Sequence, residues 1–424
     1  MTQDTLPSTQ DRYVIVGDGI AGSSAAETLA AETDAQITVL TAESEPLYNR
    51  VMIKEFAKGT LPESAVQIHD RDWYEDRGID LRLSTRVVDL DTRAGVVQTD
   101  DGEQIASDEL VIATGGSPRR LPVPNADADG VTSFWTIEDA ARIREQAASA
   151  DSGVIVGGGL LGIDYAAIAS TQDVDAHYLI REDRWFSRAM SETGAAIVHD
   201  ALRERGVTPV FETEVERFET DGTGQVSATV DDDGQIYDSD CVGVAIGTEP
   251  NVDFLAETPI AAEGGVRVDE FLRTDVPGVW AAGDVARYHD RRLDRRVQNG
   301  SWGSAAAQGD LVAQNLLAGR GDREAFAFVP SYTVTHFEFP MASFGHPALG
   351  ETYRERQYDD REWRRLAFRD GKLVGGVLIG DLAPMGTLSD VVASGQRVQR
   401  QSPDLLARDV ELPGEHTPVP AASD

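Results

Sequence analysis

Cysteine is almost absent from this sequence. Its 424 residues include one cysteine, Cys241, so no disulfide can form within the chain. Cys241 lies in the apolar segment SDCVGVAIG, a setting typical of a buried structural thiol. The seven histidines show no spacing typical of metal ligands, and we predict no metal site. The scarcity of thiols excludes chemistry that needs a redox-active cysteine pair.

Lysine is nearly as scarce, and acidic residues are in large excess. Lys54, Lys58 and Lys372 are the only lysines, so arginine supplies most of the 38 basic residues, against 73 acidic residues and a net charge of −35. Such compositions are typical of extreme halophiles, where molar salt shortens the screening length to about 3 Å. A polyanion-mimicking or disordered acidic protein is the alternative, but the acids are dispersed among patterned apolar runs. A surface this negative argues against nucleic acid as a partner.

Long apolar runs are also absent. No stretch of about 18 apolar residues occurs, which predicts that the chain does not span a membrane. The first residues, MTQDTLPSTQ, lack the basic start and the apolar run of a secretory signal. We therefore expect a cytoplasmic protein without a membrane partner.

Glycines mark a nucleotide-binding turn near the start of the chain. RYVIVGDGIAGSSAAETLAA predicts a buried strand, a tight turn with Gly17, Gly19 and Gly22, and an Ala-rich helix. In a G-x-G-x-x-G turn, the glycines permit the bend, the approach of a pyrophosphate, and close packing of the helix on the strand. Glu43 follows the second predicted strand, AQITVLTAE, where a carboxylate can accept both ribose hydroxyls.

The same pattern recurs further along the chain. SGVIVGGGLLGIDYAAIAS again predicts strand, turn and helix, with Gly157, Gly159 and Gly162 in the turn, and DAHYLI predicts the second strand. This is an internal duplication of a mononucleotide-binding unit. Two such units imply two bound dinucleotides, and the useful chemistry between two dinucleotides is hydride transfer.

Further motifs resemble those of a known family. ATGG, TDVPGVWAAGD and the intervening AIGTEPN are similar to motifs of the pyridine nucleotide–disulfide oxidoreductase superfamily, and the resemblance covers roughly residues 12–400 in consistent order. It implies that the first glycine turn binds FAD and the second binds NAD(P)H. It also implies further cofactor contacts, by Thr114, Gly115 and the ribityl-binding Asp284 for FAD and by Gly247 for NAD(P)H.

Within that superfamily, YNRVMI and DWYEDRGI resemble the branch without redox cysteines. This branch includes rubredoxin and ferredoxin reductases and the flavin module of NADH-dependent nitrite reductase large subunits. The resemblance assigns Arg50 to the FAD site. SWGSAAAQGDLVAQNLLAG resembles the helix that points its N-terminus at the flavin ring. Trp302, at the start of this helix, is predicted to line the FAD site, with ordinary packing as the alternative.

The branch also suggests a catalytic ion pair. Its members often have a Ser-Lys pair near the position of Lys54, and a Glu just after the second glycine turn. Here that second position holds Asp164, whose side chain is one methylene shorter. We predict a catalytic pair of Lys54 and Asp164 beside the flavin. The alternative is a solvent-exposed Lys54, since lysines are normally exposed.

The residues after DAHYLI bear on the choice between NADPH and NADH. Relatives that prefer NAD usually place an acid on the ribose, whereas this chain has Ile180 there, followed by Arg181 and Arg184. Arginine binds a phosphate through a planar fork, so the pattern favours NADPH. Glu182 and Asp183 weaken this signal, and the arginines could simply cover a surface turn.

The absence of a cysteine pair bears on where electrons leave. A flavin without partner thiols can pass electrons to an external one-electron carrier, and we predict a ferredoxin- or rubredoxin-like protein. The segment RYHDRRLDRRV could steer such an acidic partner. The alternative is a solvated loop that balances neighbouring aspartates. The predicted docking residues are Arg291, Arg292, Arg295 and Arg296.

The predicted fold is α/β, with two Rossmann-like dinucleotide-binding domains (FAD and NAD(P)) and a small C-terminal α+β domain. The predicted limits are 1–120 with 251–328 for the FAD domain, 121–250 for the NAD(P) domain, 329–410 for a C-terminal interface domain and 411–424 for a disordered tail. By analogy, the C-terminal domain could form a homodimer. Two other functions remain open: a flavin module that feeds a nitrite reductase or an oxygenase system, and a non-catalytic FAD-binding redox scaffold.

Overall fold

The structure is a computed structural model that describes residues 11–319, 321–336, 339–398 and 404–410. The described residues form two compact units, one made of those up to Trp185 with those of His199–Phe328, the other of Phe186–Val198 with those from Val329 onward. The predicted domain limits stay a prediction, and the tail predicted to be disordered lies outside the described residues.

The first unit combines strands and helices, and strands dominate the second. The strands are β1 (Arg12–Val16), β2 (Gln36–Leu40), β3 (Ile79–Arg82), β4 (Val87–Asp91), β5 (Val96–Thr99), β6 (Gln104–Ala106), β7 (Glu109–Ile112), β8 (Gly116–Pro118), β9 (Val131–Ser133), β10 (Ser152–Val156), β11 (Asp175–Ile180), β12 (Val207–Phe211), β13 (Val215–Thr220), β14 (Val226–Asp231), β15 (Ile236–Asp238), β16 (Cys241–Val244), β17 (Thr248–Pro250), β18 (Val266–Arg267), β19 (Val279–Ala281), β20 (Ala286–Asp290), β21 (Arg295–Val297), β22 (Ser331–Val334), β23 (Met341–Gly345), β24 (Thr352–Asp359), β25 (Glu362–Arg369) and β26 (Lys372–Ile379). The α-helices are α1 (Ile20–Glu32), α2 (Ile53–Ala57), α3 (Arg71–Glu75), α4 (Ile137–Ala147), α5 (Leu160–Thr171), α6 (Glu192–Arg203), α7 (Trp302–Leu317) and α8 (Met385–Ser394).

Two parallel sheets of the same topology form the first unit. One has the strand order β19-β7-β1-β2-β3, and the other has the order β9-β16-β10-β11-β12. In each sheet the strand before a glycine turn is central. A three-stranded antiparallel sheet is inserted between corresponding strands, β4–β6 between β3 and β7 and β13–β15 between β12 and β16. Because ligands of open α/β sheets bind at the carboxyl ends of the strands, this topology places a nucleotide site at each turn.

Small residues let the elements around the first sheet approach closely. The buried face of α1 consists mainly of alanine, glycine and serine. At Gly309 of α7, an added Cβ would lie 2.1 Å from the carbonyl oxygen of Ala21 in α1. The two helices therefore pack almost backbone to backbone, which explains the glycine in the middle of α7.

The second unit is an antiparallel sheet of order β22-β23-β26-β25-β24. Helix α8 supplies Leu388 and Val392 to its apolar core, together with Phe344, Leu366 and Leu378 from the strands. Two parallel Rossmann-like sheets and a smaller α+β unit confirm the predicted fold class. In the described residues no helix is both long and apolar enough to cross a membrane.

Candidate active site

The first glycine turn connects β1 to α1 and forms a cradle for a diphosphate. Gly17 has φ +112°, and a Cβ there would lie 2.2 Å from the carbonyl oxygen of Ala113. A Cβ at Gly22 would lie 1.9 Å from the carbonyl oxygen of Gly17, whereas Gly19 faces open space. Gly19 is also the N-cap of α1 and offers no side-chain cap. Free helical N–H groups beside open space fit the negatively charged diphosphate of FAD.

The second glycine turn, between β10 and α5, repeats this geometry. Gly157 has φ +117°, and a Cβ there would lie 2.3 Å from the carbonyl oxygen of Ala245. A Cβ at Gly162 would lie 2.0 Å from the hydroxyl of Tyr178, and Gly159 again faces open space. The turn therefore offers the same donors to a second dinucleotide. Gly247, with φ +98°, also has open space on its Cβ side.

Glu43 and Arg50 lie in the segment that follows β2. Glu43 accepts a hydrogen bond from the hydroxyl of Tyr48 at 2.6 Å and forms an ion pair with Arg50. Arg50 also donates to the carbonyl oxygen of Trp135 at 2.8 Å. Both charged groups interact electrostatically with Asp18 of the first turn. The structure thus brings two predicted FAD residues to the carboxyl end of the first sheet.

Asp284 lies just after β19. Burial raises the pKa of its carboxyl group to about 6, and the positive charge of Arg50 opposes this rise. Within the described residues, no side chain or amide donates a hydrogen bond to this carboxylate. A largely buried acceptor without a protein donor fits the predicted ribityl hydroxyls. Gly300 lies against it, since a Cβ there would be 3.4 Å from Asp284 Oδ2.

Thr114 and Gly115 follow β7 at the same sheet edge. The Thr114 hydroxyl donates to the carbonyl oxygen of Asn251 at 2.8 Å, and the Asn251 amide donates back to the Thr114 carbonyl at 2.9 Å. Gly115 has φ +60° and open space on its Cβ side. Thr114 therefore joins the segment that leaves the first sheet after β7 to the segment that returns from the second sheet after β16. Gly115 leaves room beside these two segments.

Lys54 and Asp164 are in contact, as their predicted pairing requires. Lys54 Nζ lies 3.6 Å from Asp164 Oδ1, and the two side chains are 12% and 4% exposed. Lys54 is in the short helix α2, and Asp164 follows the second glycine turn in α5. The alternative of a solvent-exposed Lys54 is therefore wrong. The catalytic role of the pair stays a prediction.

The residues after β11 include the predicted phosphate-binding arginines, whose role stays a prediction. Arg181 is 70% exposed and pairs with Glu182 at 3.1 Å, and Arg184 pairs with Asp183 at 2.6 Å. Ile180 is fully buried. Glu182 turns back toward the second glycine turn, so that its Oε2 atom lies 3.3 Å from where a Cβ on Gly158 would be. A carboxylate therefore lies beside this turn, next to the side chain of Ile180.

The predicted docking arginines lie on and beside the hairpin of β20 and β21. Arg291 is 57% exposed and pairs with Glu270, whereas Arg292 is 17% exposed and binds Asp290 at 2.6 Å. Burial of Asp290 opposes its ionisation, but Arg292 outweighs this effect and lowers the pKa of Asp290. Arg295 and Arg296 are exposed. Arg292 therefore serves the fold of the hairpin.

Trp302 is the first residue of α7 and is partly buried. Its predicted contact with FAD stays a prediction. Ser301 precedes it as the N-cap of α7 and forms no side-chain cap. Across the described ranges, no group of three or more potential metal-ligating side chains occurs.

The sequence motifs did not reveal the role of Asp18. This aspartate lies between Gly17 and Gly19, is 7% exposed, and accepts hydrogen bonds from the Tyr74 hydroxyl on both carboxylate oxygens, at 2.8 and 2.9 Å. Its one sequence signal is an acid inside a turn that binds an anion. The partner, Tyr74, is 56 residues away and could not be found from local pattern.

Residues 11–309 match the pyridine nucleotide-disulphide oxidoreductase family, and the chain belongs to this family. The predicted family is thus confirmed, and with it the class, FAD-dependent NAD(P)H oxidoreductases. FAD and NAD(P)H are the cofactors of this class, and the two turns fit them.

Individual relatives are more specific. The chain is 32% identical over 391 residues to the ferredoxin--NAD(+) reductase component of an anthranilate 1,2-dioxygenase system from Burkholderia cepacia, covering 91% of this chain and 95% of that protein. It is 28% identical to a nitrite reductase [NAD(P)H] from Bacillus subtilis (strain 168), over 87% of this chain. The chain spans only 46% of that nitrite reductase.

A solved structure shares the fold along nearly the whole chain. The crystal structure of the covalent putidaredoxin reductase–putidaredoxin complex contains a chain that superposes with a TM-score of 0.86 at 25% identity, covering 92% of this chain and 94% of the other. The fold of this chain is therefore shared with a chain of that complex.

Proposed function

We propose that the chain oxidises a nicotinamide and passes the electrons, by way of FAD, to an external one-electron carrier of ferredoxin or rubredoxin type. The observation that carries this proposal is the pair of equivalent glycine turns within one compact unit, with Lys54 contacting Asp164 just after the second turn. When bound, FAD accepts two electrons as a hydride and can release them singly. Since Cys241 is the single cysteine, the chain itself offers no disulfide as acceptor.

The protein's residues bind and orient in this proposal. The N-termini of α1 and α5 hold the two diphosphates, Glu43 accepts the ribose hydroxyls of FAD, and Asp284 accepts those of its ribityl chain. The Lys54–Asp164 contact joins α2 to α5 and so orients the nicotinamide site relative to the flavin site. Hydride transfer depends on such positioning, because small misplacements of reacting atoms are costly.

For the nicotinamide we propose NADH, although the arginines after β11 favoured NADPH in the sequence. The two sheets support the change. The N–H of Gly17 donates to Leu40, and the N–H of Gly157 donates to Leu179. These two leucines are therefore equivalent, and the residues three positions further along are Glu43 and Glu182.

Glu182 thus occupies the position that corresponds to the predicted ribose carboxylate of the FAD site. A carboxylate there accepts the 2′-hydroxyl of NADH and repels the 2′-phosphate of NADPH. Arg181 already neutralises part of this charge through its ion pair with Glu182. We assign Glu182, rather than Arg181 and Arg184, to recognition of the adenosine ribose.

For the acceptor we propose an acidic iron–sulfur carrier that docks on the hairpin of β20 and β21. Arg291, Arg295 and Arg296 are exposed there in an otherwise acidic chain. The hairpin directly follows Asp284 of the proposed flavin site in the chain, which supports docking on this side of the flavin site. The relative named as a ferredoxin--NAD(+) reductase component and the solved putidaredoxin reductase–putidaredoxin complex support a carrier of this kind.

One alternative is a flavin module that feeds a nitrite reductase. The similarity to a nitrite reductase about twice as long as the matched part favours this alternative. A non-catalytic FAD scaffold has less support, because a scaffold has no use for the second glycine turn.

Anaerobic stopped-flow spectroscopy tests the proposal. NADH should bleach the flavin absorbance, and a ferredoxin should restore it more rapidly than nitrite does in the same mixture. Restoration that requires both nitrite and an added nitrite-reducing protein would favour the module, and no bleaching by either nicotinamide would favour the scaffold. The mixtures need high salt, given the predicted halophilic character.

A further inference from the structure

A buried acid lies inside the first glycine turn, and the second turn has none. The residues Gly17-Asp18-Gly19 correspond to Gly157-Gly158-Gly159, and both sets connect the central strand of a parallel sheet to a helix. Since the second turn forms with glycine at this position, the backbone geometry does not require a carboxylate. Asp18 therefore serves something that is particular to the first site.

The contacts of Asp18 show what it holds. Both carboxylate oxygens accept from the Tyr74 hydroxyl of α3, and the backbone amide of Leu47 donates a further hydrogen bond. Ser23 of α1 lies 3.5 Å from the same Tyr74 hydroxyl. Asp18 thus links the turn to α3 and to the segment around Leu47, which also contains Glu43 and Arg50.

The charge of Asp18 matters because of where it lies. Burial raises the pKa of Asp18 to about 7, against the opposing effect of the Tyr74 and Leu47 hydrogen bonds; Glu43 raises this pKa further and Arg50 lowers it. The diphosphate of FAD brings more negative charge to the same turn. A carboxylate that is ionised beside a bound anion costs free energy, so proton uptake by Asp18 and binding of the anion favour each other.

We propose that Asp18 is a positioning residue for FAD, which fixes the first glycine turn to the segment of Glu43 and Arg50 and releases FAD more readily when its carboxyl group is ionised. The inference rests on the proposed assignment of FAD to the first turn. The sign follows from linkage. Below the pKa of Asp18 the group is neutral and FAD is held tightly, and as pH rises through that pKa the affinity falls, by at most about tenfold per pH unit.

The test is the dissociation constant of FAD between pH 5.5 and 9, measured on the full chain from the flavin fluorescence released on dilution. The wild type should bind FAD more weakly above about pH 7, whereas Asp18→Asn should show a smaller dependence on pH. Asp284 also faces the FAD site. Its titration affects the wild type and Asp18→Asn equally, so it cancels in the ratio of their dissociation constants. Asp18→Ala, which cannot accept from Tyr74, should bind FAD about tenfold more weakly than Asp18→Asn at pH 6.

A matched control exists in the other half of the unit. Asp231 is 4% exposed and accepts from the hydroxyl of Tyr237 at 3.0 Å, so Asp231→Asn changes the same kind of buried contact away from the first turn. This variant should follow the wild-type profile. Identical pH profiles for the wild type and Asp18→Asn, or equal affinities for Asp18→Ala and Asp18→Asn, would overturn this inference but not the proposed function. A chain that retains no flavin at any pH would instead overturn the proposed function.

Discussion

Lys54 and Asp164 are the residues on which hydride transfer should depend most directly. We predict that Lys54→Met slows bleaching of the flavin by NADH at least about tenfold, equivalent to ~1.4 kcal/mol in the barrier. The reason is that α5 loses the contact that orients the nicotinamide. Reoxidation of the flavin by a small dye should keep its rate, since it needs no nicotinamide.

Lys58 offers the control for this prediction. It lies just after α2 and pairs with Glu55 at 2.9 Å, a contact within its own segment. Lys58→Met should lower stability without a specific effect on bleaching. If both substitutions slow the reaction by the same factor, the Lys54–Asp164 contact has no special role.

Glu182 provides the second prediction at the scale of single residues. In Glu182→Gln the ratio of kcat/KM for NADPH to that for NADH should rise about tenfold, because the substitution removes repulsion toward the 2′-phosphate and weakens the bond to the 2′-hydroxyl. Glu216→Gln is the control, since Glu216 forms the same kind of neighbouring pair with Arg217 at 3.0 Å. An unchanged ratio in Glu182→Gln would contradict this role of Glu182 and favour recognition of the nicotinamide cofactor by Arg181 and Arg184.

At the scale of elements, the sequence predicted the parts of the fold whose signals are local. A strand, a glycine turn and a helix follow one another within some twenty residues at both Gly17 and Gly157, so both units could be recognised. The equivalence of Glu43 and Glu182 could be recognised only from the pairing of the strands. In register, the last residue of β2, Leu40, corresponds to Leu179, and β11 continues for one residue beyond it. The contact between Asp18 and Tyr74 depends on packing between distant segments and left no local signal.

The hairpin of β20 and β21 carries the prediction for docking. Reversal of Arg291, Arg295 and Arg296 to Glu should slow electron transfer to a ferredoxin at least about tenfold, by replacing attraction with like-charge repulsion, and should spare reduction of a neutral dye. Arg292 is left unchanged, since it binds Asp290 within the hairpin.

The control for docking reverses three exposed arginines elsewhere, Arg86, Arg93 and Arg203. This variant changes the net charge by the same amount and should reduce ferredoxin at the wild-type rate. Equal losses in both triple variants would assign the effect to total charge rather than to the hairpin.

For the whole molecule, the net charge of −35 decides how a carrier can be recognised. An acidic carrier is repelled by the chain as a whole, and only a local basic surface can hold it. In the molar salt predicted for this protein, charges interact over about 3 Å, so long-range steering is lost and direct contacts with the arginines must suffice. The same screening makes the self-repulsion of the acidic surface tolerable.

The relay from nicotinamide through flavin to a carrier is tested most directly by its stoichiometry. The purified yellow protein is mixed anaerobically with a limiting amount of NADH and an excess of oxidised ferredoxin, and both absorbances are followed to completion. Two ferredoxins should be reduced for each NADH consumed, because a hydride carries two electrons and each carrier accepts one. A colourless protein that takes up no FAD, or NADH consumption without ferredoxin reduction, would contradict the relay.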